Sequence, residues 1–140
     1  MNNGHLKWSF NLSSRMAELD DAHRELEDLY DRILQACESQ EPGASVRERI
    51  RSFLTYARWH FVEEETLMQQ VDYGGYTDHR AEHQRLVEDA EAFIDSFGAT
   101  PQAEDGPAIV SFFKYWLVRH MAAQDSDLVK FLNTLKSGDC

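Results

Sequence analysis

The chain has 140 residues and a formal net charge of −11, with 42% hydrophobic and 28% charged residues. This length fits one domain with a real core, and the apolar fraction excludes a disordered chain. The negative charge argues against nucleic acid or an anionic membrane surface as a partner. No apolar run of about 18 residues would span a membrane, and no signal-peptide pattern is present, so we expect a cytoplasmic protein.

Apolar residues spaced by alternating threes and fours predict a first helix over residues 20–39. Residues 41–44, which include a proline and a glycine, interrupt this pattern. Ser45 and Glu48 then form a capping-box pattern, which predicts the start of a second helix. Two consecutive glycines at positions 74 and 75 predict its end.

The same periodicity predicts a third helix over residues 77–97, with Gly98 as the residue that follows its end. A turn comes next, in which Asp105 is the candidate N-cap of a fourth helix near Pro107. This helix is predicted to continue beyond Asp125 as a short C-terminal extension.

Four amphipathic helices with short polar connections predict an all-α fold, an up-down-up-down antiparallel four-helix bundle. We expect a single domain over residues 1–140. Residues 1–12 are interpreted as an N-terminal arm that lies along the bundle, anchored by Trp8, Phe10 and Leu12.

Five of the six histidines fall, with two acidic residues, into spacings typical of metal ligands. The set consists of His23, His60 with Glu64, His79 with His83, and His120 with Asp125. Imidazole and carboxylate suit iron, zinc, manganese or copper, and seven such groups are about right for two ions. One core histidine is commonly a hydrogen-bonded buried residue. Five together weaken that explanation, because each buried imidazole needs its own partner.

Glu64 lies on the apolar stripe of the second predicted helix, where an unpaired carboxylate would be strongly unfavourable. A cation between the helices would remove that problem. The neighbouring Glu63 and Glu65 lie on other faces, and we interpret both as solvated.

Asp125 follows His120 by five residues, which rotates its side chain by about 140° on a regular helix. Two interpretations stay open. A local widening, such as a π-bulge between Met121 and Asp125, would bring the two side chains together. Alternatively, Asp125 is a surface acid.

Taken together, these segments resemble the hemerythrin family. Residues 19–26 resemble its first ligand motif, and residues 60–68 resemble the second, including the Phe after the histidine and the paired acids. Residues 79–83 match its HxxxH element, and residues 116–125 match its WLxxHxxxxD element. The resemblance covers nearly the whole chain, and all seven ligand positions are present.

The resemblance implies reversible dioxygen binding at two iron ions bridged by two carboxylates and an oxo or hydroxo group. One iron would be held by His79, His83 and His120, the other by His23 and His60, and the bridging carboxylates would be Glu64 and Asp125. The second iron would then have one vacant position, where dioxygen binds.

Four apolar side chains are expected to wall the dioxygen pocket, namely Phe61, Trp116, Leu117 and Met121. Excluding water should favour release of dioxygen over oxidation of the ions. Ala22 stands where bacterial members mostly have Gln, and Met121 where Ile is common. We expect these departures to affect oxygen affinity and autoxidation.

Other functions fit the sequence less well. The first alternative is a di-iron enzyme, such as a peroxidase or a nitric oxide reductase. Carboxylate-rich di-iron sites that activate dioxygen in helical bundles have more acids and fewer histidines, so we expect a binding protein rather than an enzyme. A stand-alone oxygen or redox sensor would need a partner surface, to which Tyr56 and Trp59 could contribute. A structural zinc site lacks its usual cysteines. We expect a monomer, and leave open weak self-association or an oxygen-using partner enzyme.

Overall fold

The structure is a computed structural model that describes residues 10–98, 100–121 and 123–138, apart from the side chains of residues 123–125 and 138. Within those ranges the chain forms α-helices, one 3-10 turn and no strand. The helices are α1 (Leu12–Glu38), α2 (Gly43–Gln70), α3 (Tyr76–Asp95), α4 (Gly106–Met121) and α5 (Ala123–Gly138), with the 3-10 turn at Ala103–Asp105.

The first four helices form a bundle in which helices that follow one another in the chain are also neighbours in space, and α4 closes the ring against α1. α1 packs against α2 and α4, and α3 packs against the same two helices. Short connections reverse the chain after α1 and after α2. The predicted all-α up-down-up-down bundle is therefore confirmed, and the C-terminal extension is the separate helix α5, which contacts α1, α3 and α4.

α1 begins earlier than its apolar stripe predicts, at Leu12 rather than at residue 20. Its N-cap is Asn11, whose side-chain oxygen accepts a hydrogen bond from the backbone N–H of Ser14 at 3.0 Å. Such a bond satisfies one of the free N–H groups of the first turn. Trp8 and the rest of residues 1–9 lie outside the described residues, so the arm stays a prediction.

The predicted capping box of α2 was wrong. α2 begins at Gly43 after Pro42, with no side-chain cap, and the hydroxyl of Ser45 donates instead to the carboxylate of Glu41. Asp105 directly precedes α4, the position predicted for its N-cap, and its Oδ2 accepts from the backbone N–H of Gln102 at 2.8 Å in the 3-10 turn.

The core consists of two hydrophobic clusters. The larger one contains an aromatic group in which the ring centroid of Phe53 lies 5.3 Å from Phe113 and 5.2 Å from Trp116. The smaller cluster lies where α1, α2 and α5 meet, and its buried members are Leu12, Leu19, Leu67, Met68, Val71, Leu128 and Leu132. No helix in the described ranges combines the length and apolar character needed to cross a membrane.

Candidate metal centre

Six of the seven predicted ligands lie at one level of the bundle, between the two core clusters. On α1, His23 lies between Leu19 of the smaller cluster and Leu26 of the larger one. On α2, Glu64 lies between Phe61 of the larger cluster and Leu67 of the smaller one, and His60 directly precedes Phe61. Because each helix crosses this level once, four helices bring six predicted ligands together: His23, His60, Glu64, His79, His83 and His120.

The site is buried except on its α1 side. Glu64 and four of the histidines are buried, with exposed fractions of 0 to 2%. The His23 side chain is 18% exposed. The centre is therefore open to solvent on the side of α1 more than on the side of α3.

Glu64 lies at the middle of the cluster, with each carboxylate oxygen turned to a different group of imidazoles. Its Oε1 is 2.8 Å from Nε2 of His79 and 2.9 Å from Nε2 of His83. Its Oε2 is 3.4 Å from Nε2 of His60 and 3.8 Å from Nε2 of His23. One carboxylate therefore connects two donor groups.

The environment of Glu64 keeps its carboxyl group ionised. Burial raises the pKa of Glu64, but the imidazoles of four histidines around the carboxylate lower it more, so the pKa lies well below its usual value. The four are His23, His60, His79 and His83. A buried negative charge surrounded by imidazoles is an arrangement that a cation would complete.

The donor atoms divide into two groups that share Glu64, and within each group they lie within 4.8 Å of one another. One group is His23, His60, Glu64 and His120, and the other is Glu64, His79 and His83. His120 belongs to the first group because its Nε2 is 3.1 Å from Nε2 of His60. The resemblance assigned His120 with His79 and His83, and its assignment to one ion or the other stays a prediction.

The chemistry of this donor set fits a pair of first-row metal ions. Imidazole nitrogens and carboxylate oxygens are ligands that iron accepts. The nearest atoms of His60 and His120 are both Nε2, and two nitrogens at 3.1 Å satisfy each other only if one of them carries the proton. A cation between them would accept both lone pairs.

Asp125 lies in α5, and its side chain is outside the described part of the structure. The predicted widening between Met121 and Asp125 falls on the same region, because Ala122 is also outside it. Both interpretations of Asp125 therefore stay open.

Two of the predicted pocket residues, Phe61 and Trp116, lie against the imidazoles. Phe61, Trp116 and Leu117 are 2 to 5% exposed and belong to the larger cluster, and the half-buried Met121 packs against it. Phe61 stacks on the ring of His83 with centroids 4.0 Å apart and an interplanar angle of 7°. The indole N–H of Trp116 donates to the carbonyl oxygen of Leu86 at 2.8 Å, which fixes the ring against α3.

Glu65 belongs to the site, although its position in the sequence predicts a solvated side chain. That interpretation was wrong. Its side chain is only 20% exposed, and its Oε2 lies 2.7 Å from Nδ1 of His83. Metal-binding histidines usually donate their second ring nitrogen to such a carboxylate, which fixes the tautomer and the orientation of the ring. Applied to the sequence, this rule would have indicated that a predicted ligand such as His83 needs a carboxylate partner. Glu63, by contrast, is 44% exposed as predicted.

Comparisons with known proteins all point to one family. A family model described as "Hemerythrin HHE cation binding domain" matches residues 15–132. The chain is 25% identical over 126 residues to the bacteriohemerythrin of Pseudomonas aeruginosa, covering 89% of this chain and 80% of that protein.

Further relatives include the bacteriohemerythrin of Methylococcus capsulatus, 27% identical over 76% of this chain and 79% of that protein. The hemerythrin-like protein of Naegleria gruberi is 28% identical over 108 residues, which cover 77% of this chain and 77% of that protein. No solved structure gives a significant match.

Proposed function

Because the chain belongs to the hemerythrin family, we propose that it binds dioxygen reversibly at a pair of iron ions held between α1, α2, α3 and α4. The observation that carries this proposal is the buried carboxylate of Glu64, each of whose oxygens faces a different group of imidazoles. Such a carboxylate suits two cations that share one ligand.

In this proposal the ions are held by seven residues: His23, His60, Glu64, His79, His83, His120 and Asp125. Asp125 is included on the resemblance, as the second shared carboxylate. When bound, a pair of ferrous ions supplies the electrons and the open coordination position that reversible dioxygen binding requires.

Apolar side chains of the protein provide a rigid environment for the ions from which water is excluded. Phe61, Trp116 and Leu117 exclude water from the larger-cluster side of the site. Excluding water and anions favours release of dioxygen over lasting oxidation of the ions. The hydrogen bond from Trp116 to Leu86 and the stacking of Phe61 on His83 hold this wall in place.

The balance of the ligand set supports binding over oxidative catalysis. Carboxylate-rich di-iron sites that activate dioxygen in helical bundles use four glutamates with two histidines. Here five histidines stand with two acids. We therefore propose that this ligand set would hold iron for reversible binding of dioxygen rather than for oxidation of a substrate.

The proposal is tested by adding air to the anaerobic ferrous protein and then removing it, while the charge-transfer absorption of the iron is recorded. We expect two iron ions per chain by metal analysis and a band that appears with air and disappears without it over repeated cycles. Lasting oxidation accompanied by turnover of added peroxide or nitric oxide would contradict the proposal and indicate an enzyme.

A further inference from the structure

Two grooves approach the candidate metal centre, one on each side of α2. The α1–α2 groove has a cavity of about 270 Å³ whose lining includes Ala22, Tyr56, Trp59 and His60. The α2–α3 groove has a cavity of about 480 Å³ whose lining includes Phe61, Val62, Glu65 and His83. Each groove therefore contacts one predicted ligand.

The α2–α3 groove is closed before it reaches the interior of the site. The ring of His83 is covered on one face by Phe61. Its Nδ1 edge faces Glu65 at 2.7 Å, while Nε2 on the opposite edge faces Glu64. A molecule in this groove meets the back of His83, not the atoms that converge on Glu64.

The α1–α2 groove lies on the more exposed side of the site, and its histidine has no supporting carboxylate of the kind that Glu65 provides for His83 among the residues that line the groove. The lining includes Ala22, which directly precedes His23, and His60. Nε2 of His60 is 3.4 Å from Oε2 of Glu64, so one side chain separates the cavity from the centre. The partial exposure of His23 marks the same side of the site as the open one.

We propose that the α1–α2 groove is the route by which small external molecules reach the metal centre, and that its rim favours neutral molecules over anions. The inference rests on the proposed function and adds to it an entrance and a charge preference. Ala22 sets the opening, because a longer side chain at this position would fill the cavity next to His60.

The charge preference follows from the acidic rim of the groove. Glu18, Asp21 and Glu63 line it together with one cation, Arg15. Arg15 Nε lies 3.1 Å from Glu18 and its Nη2 4.0 Å from Glu63, so this cation offsets one of the three negative charges and leaves the rim net negative. Asp21 pairs with Arg24 on the outer surface.

Tyr56, on the wall of this groove, reports the same negative field. Burial raises the pKa of its hydroxyl, and the carboxylates of Glu25 and Asp21 raise it further. Such a field slows the entry of anions and is screened over about 8–10 Å at moderate salt. Dioxygen carries no charge and is unaffected by it.

The route is tested with Ala22→Gln, which lengthens a side chain that lines the groove. The first measurement is the association rate of azide with the diferric protein by stopped flow. The second, which needs no iron, is the rate of Co²⁺ uptake by the metal-free protein. We expect both rates to fall by about tenfold.

Two matched variants give the controls. Ala17→Gln makes the same change at an exposed position of α1 outside the groove, and we expect parental rates. Val62→Trp fills the α2–α3 groove from an exposed position, and we again expect parental rates. Slowing by Val62→Trp alone, or equal rates in all variants, would overturn the proposed route.

The charge preference is tested with a separate variant, so this test does not require that the Ala22→Gln protein folds. Glu63→Gln removes one rim carboxylate from an exposed side chain. At low salt we expect azide to bind about twofold faster, with no change for dioxygen and no difference at high salt. Glu88→Gln, in the α2–α3 groove, should leave the azide rate unchanged. An equal effect of both variants would contradict the rim's role.

These outcomes are separate from failure of the proposed function. If the protein holds no iron, the azide experiment gives no signal and the proposed function falls, while Co²⁺ uptake still decides the route. If iron is held and azide binds at one rate in every variant, only the route is wrong.

Discussion

The two oxygens of Glu64 face histidines that reach the site in different ways. On the Oε1 side, His79 and His83 lie four residues apart on one helix, and Glu65 and Phe61 support His83 from behind. On the Oε2 side, the histidines come from three helices, α1, α2 and α4, and one of them, His60, lines the α1–α2 groove.

This difference indicates that helical spacing within α3 positions the ligands on one side of the centre, whereas packing between helices positions those on the other. A spacing of four fixes two side chains on one helical face before the bundle forms. The contact at 3.1 Å between His60 and His120 exists only when α2 and α4 are both in place. Variants that act on both sides, on one side or on the connection between them therefore separate the two contributions.

The largest effect is expected from Glu64→Gln, because this residue serves both sides. The amide keeps the size of the side chain but removes the charge that two groups of imidazoles surround. We expect iron content, measured by metal analysis, to fall from two ions per chain to almost none. Glu63→Gln, next in sequence and 44% exposed, should keep both. Full iron content in Glu64→Gln would show that the carboxylate is not shared.

A smaller effect is expected from Glu65→Gln, which acts on the α3 side alone. Loss of the carboxylate behind a metal-binding histidine typically lowers metal affinity about 10–100-fold. Competition with a chelator should therefore remove one ion more readily than in the parent, with the thermal unfolding of the metal-free protein little changed. Arg80→Gln removes the exposed cation 3.7 Å from Glu65 and should have little effect. Equal chelator resistance of Glu65→Gln and the parent would contradict a positioning role for this carboxylate.

Leu117→Ala tests the apolar wall proposed for the site. Leu117 is 5% exposed in the larger cluster, so truncation should lower the free energy of unfolding by about 2–5 kcal/mol. By opening a path for water, it should also make autoxidation of the oxygenated protein several-fold faster. The exposed neighbour Val118, changed to Ala, is the control. Autoxidation at the parental rate would mean that Leu117 contributes packing only.

Much of this arrangement is predictable from sequence, and the errors have physical causes. Helical periodicity gives the bundle, because each helix buries one stripe. It places the start of α1 too late, since Leu12 and Leu19 pack on α2 and α5 residues distant in sequence, such as Leu67 and Leu128. Contacts of that kind do not show in the local pattern.

The site, too, has features that the local sequence predicts and features that depend on packing between helices. The spacing of His79 and His83 is readable from sequence, and so is the anomaly of a glutamate on an apolar stripe. The partner of Glu65 is not, because it depends on how α2 and α3 are rotated against each other. The placement of His120 beside His60 likewise depends on packing across the bundle.

The smallest effect is expected at the surface connection between the two sides. Arg119, which precedes His120, donates to Glu82, which precedes His83, at 2.7 Å, and to Asp89 at 2.8 Å. Exposed ion pairs of this kind contribute about 0.2–1 kcal/mol. Glu82→Gln should therefore lower the free energy of unfolding at pH 7 by less than about 1 kcal/mol, with iron content unchanged. Glu88→Gln, exposed on the same helix, is the matched control.

The pH dependence of this difference identifies its source. Burial raises the pKa of Glu82, but Arg119 and Arg85 lower it more, so the folded-state pKa is below the usual 4.5. A lowered pKa means that the stabilisation is complete above the unfolded-state value and disappears as the pH falls through the folded-state value. Urea unfolding of the metal-free parent and of Glu82→Gln should thus differ at pH 7 and converge at acid pH. Because Glu64 titrates in both proteins, its contribution cancels in this difference, and a gap that persisted in acid would point to packing of the Glu82 side chain instead.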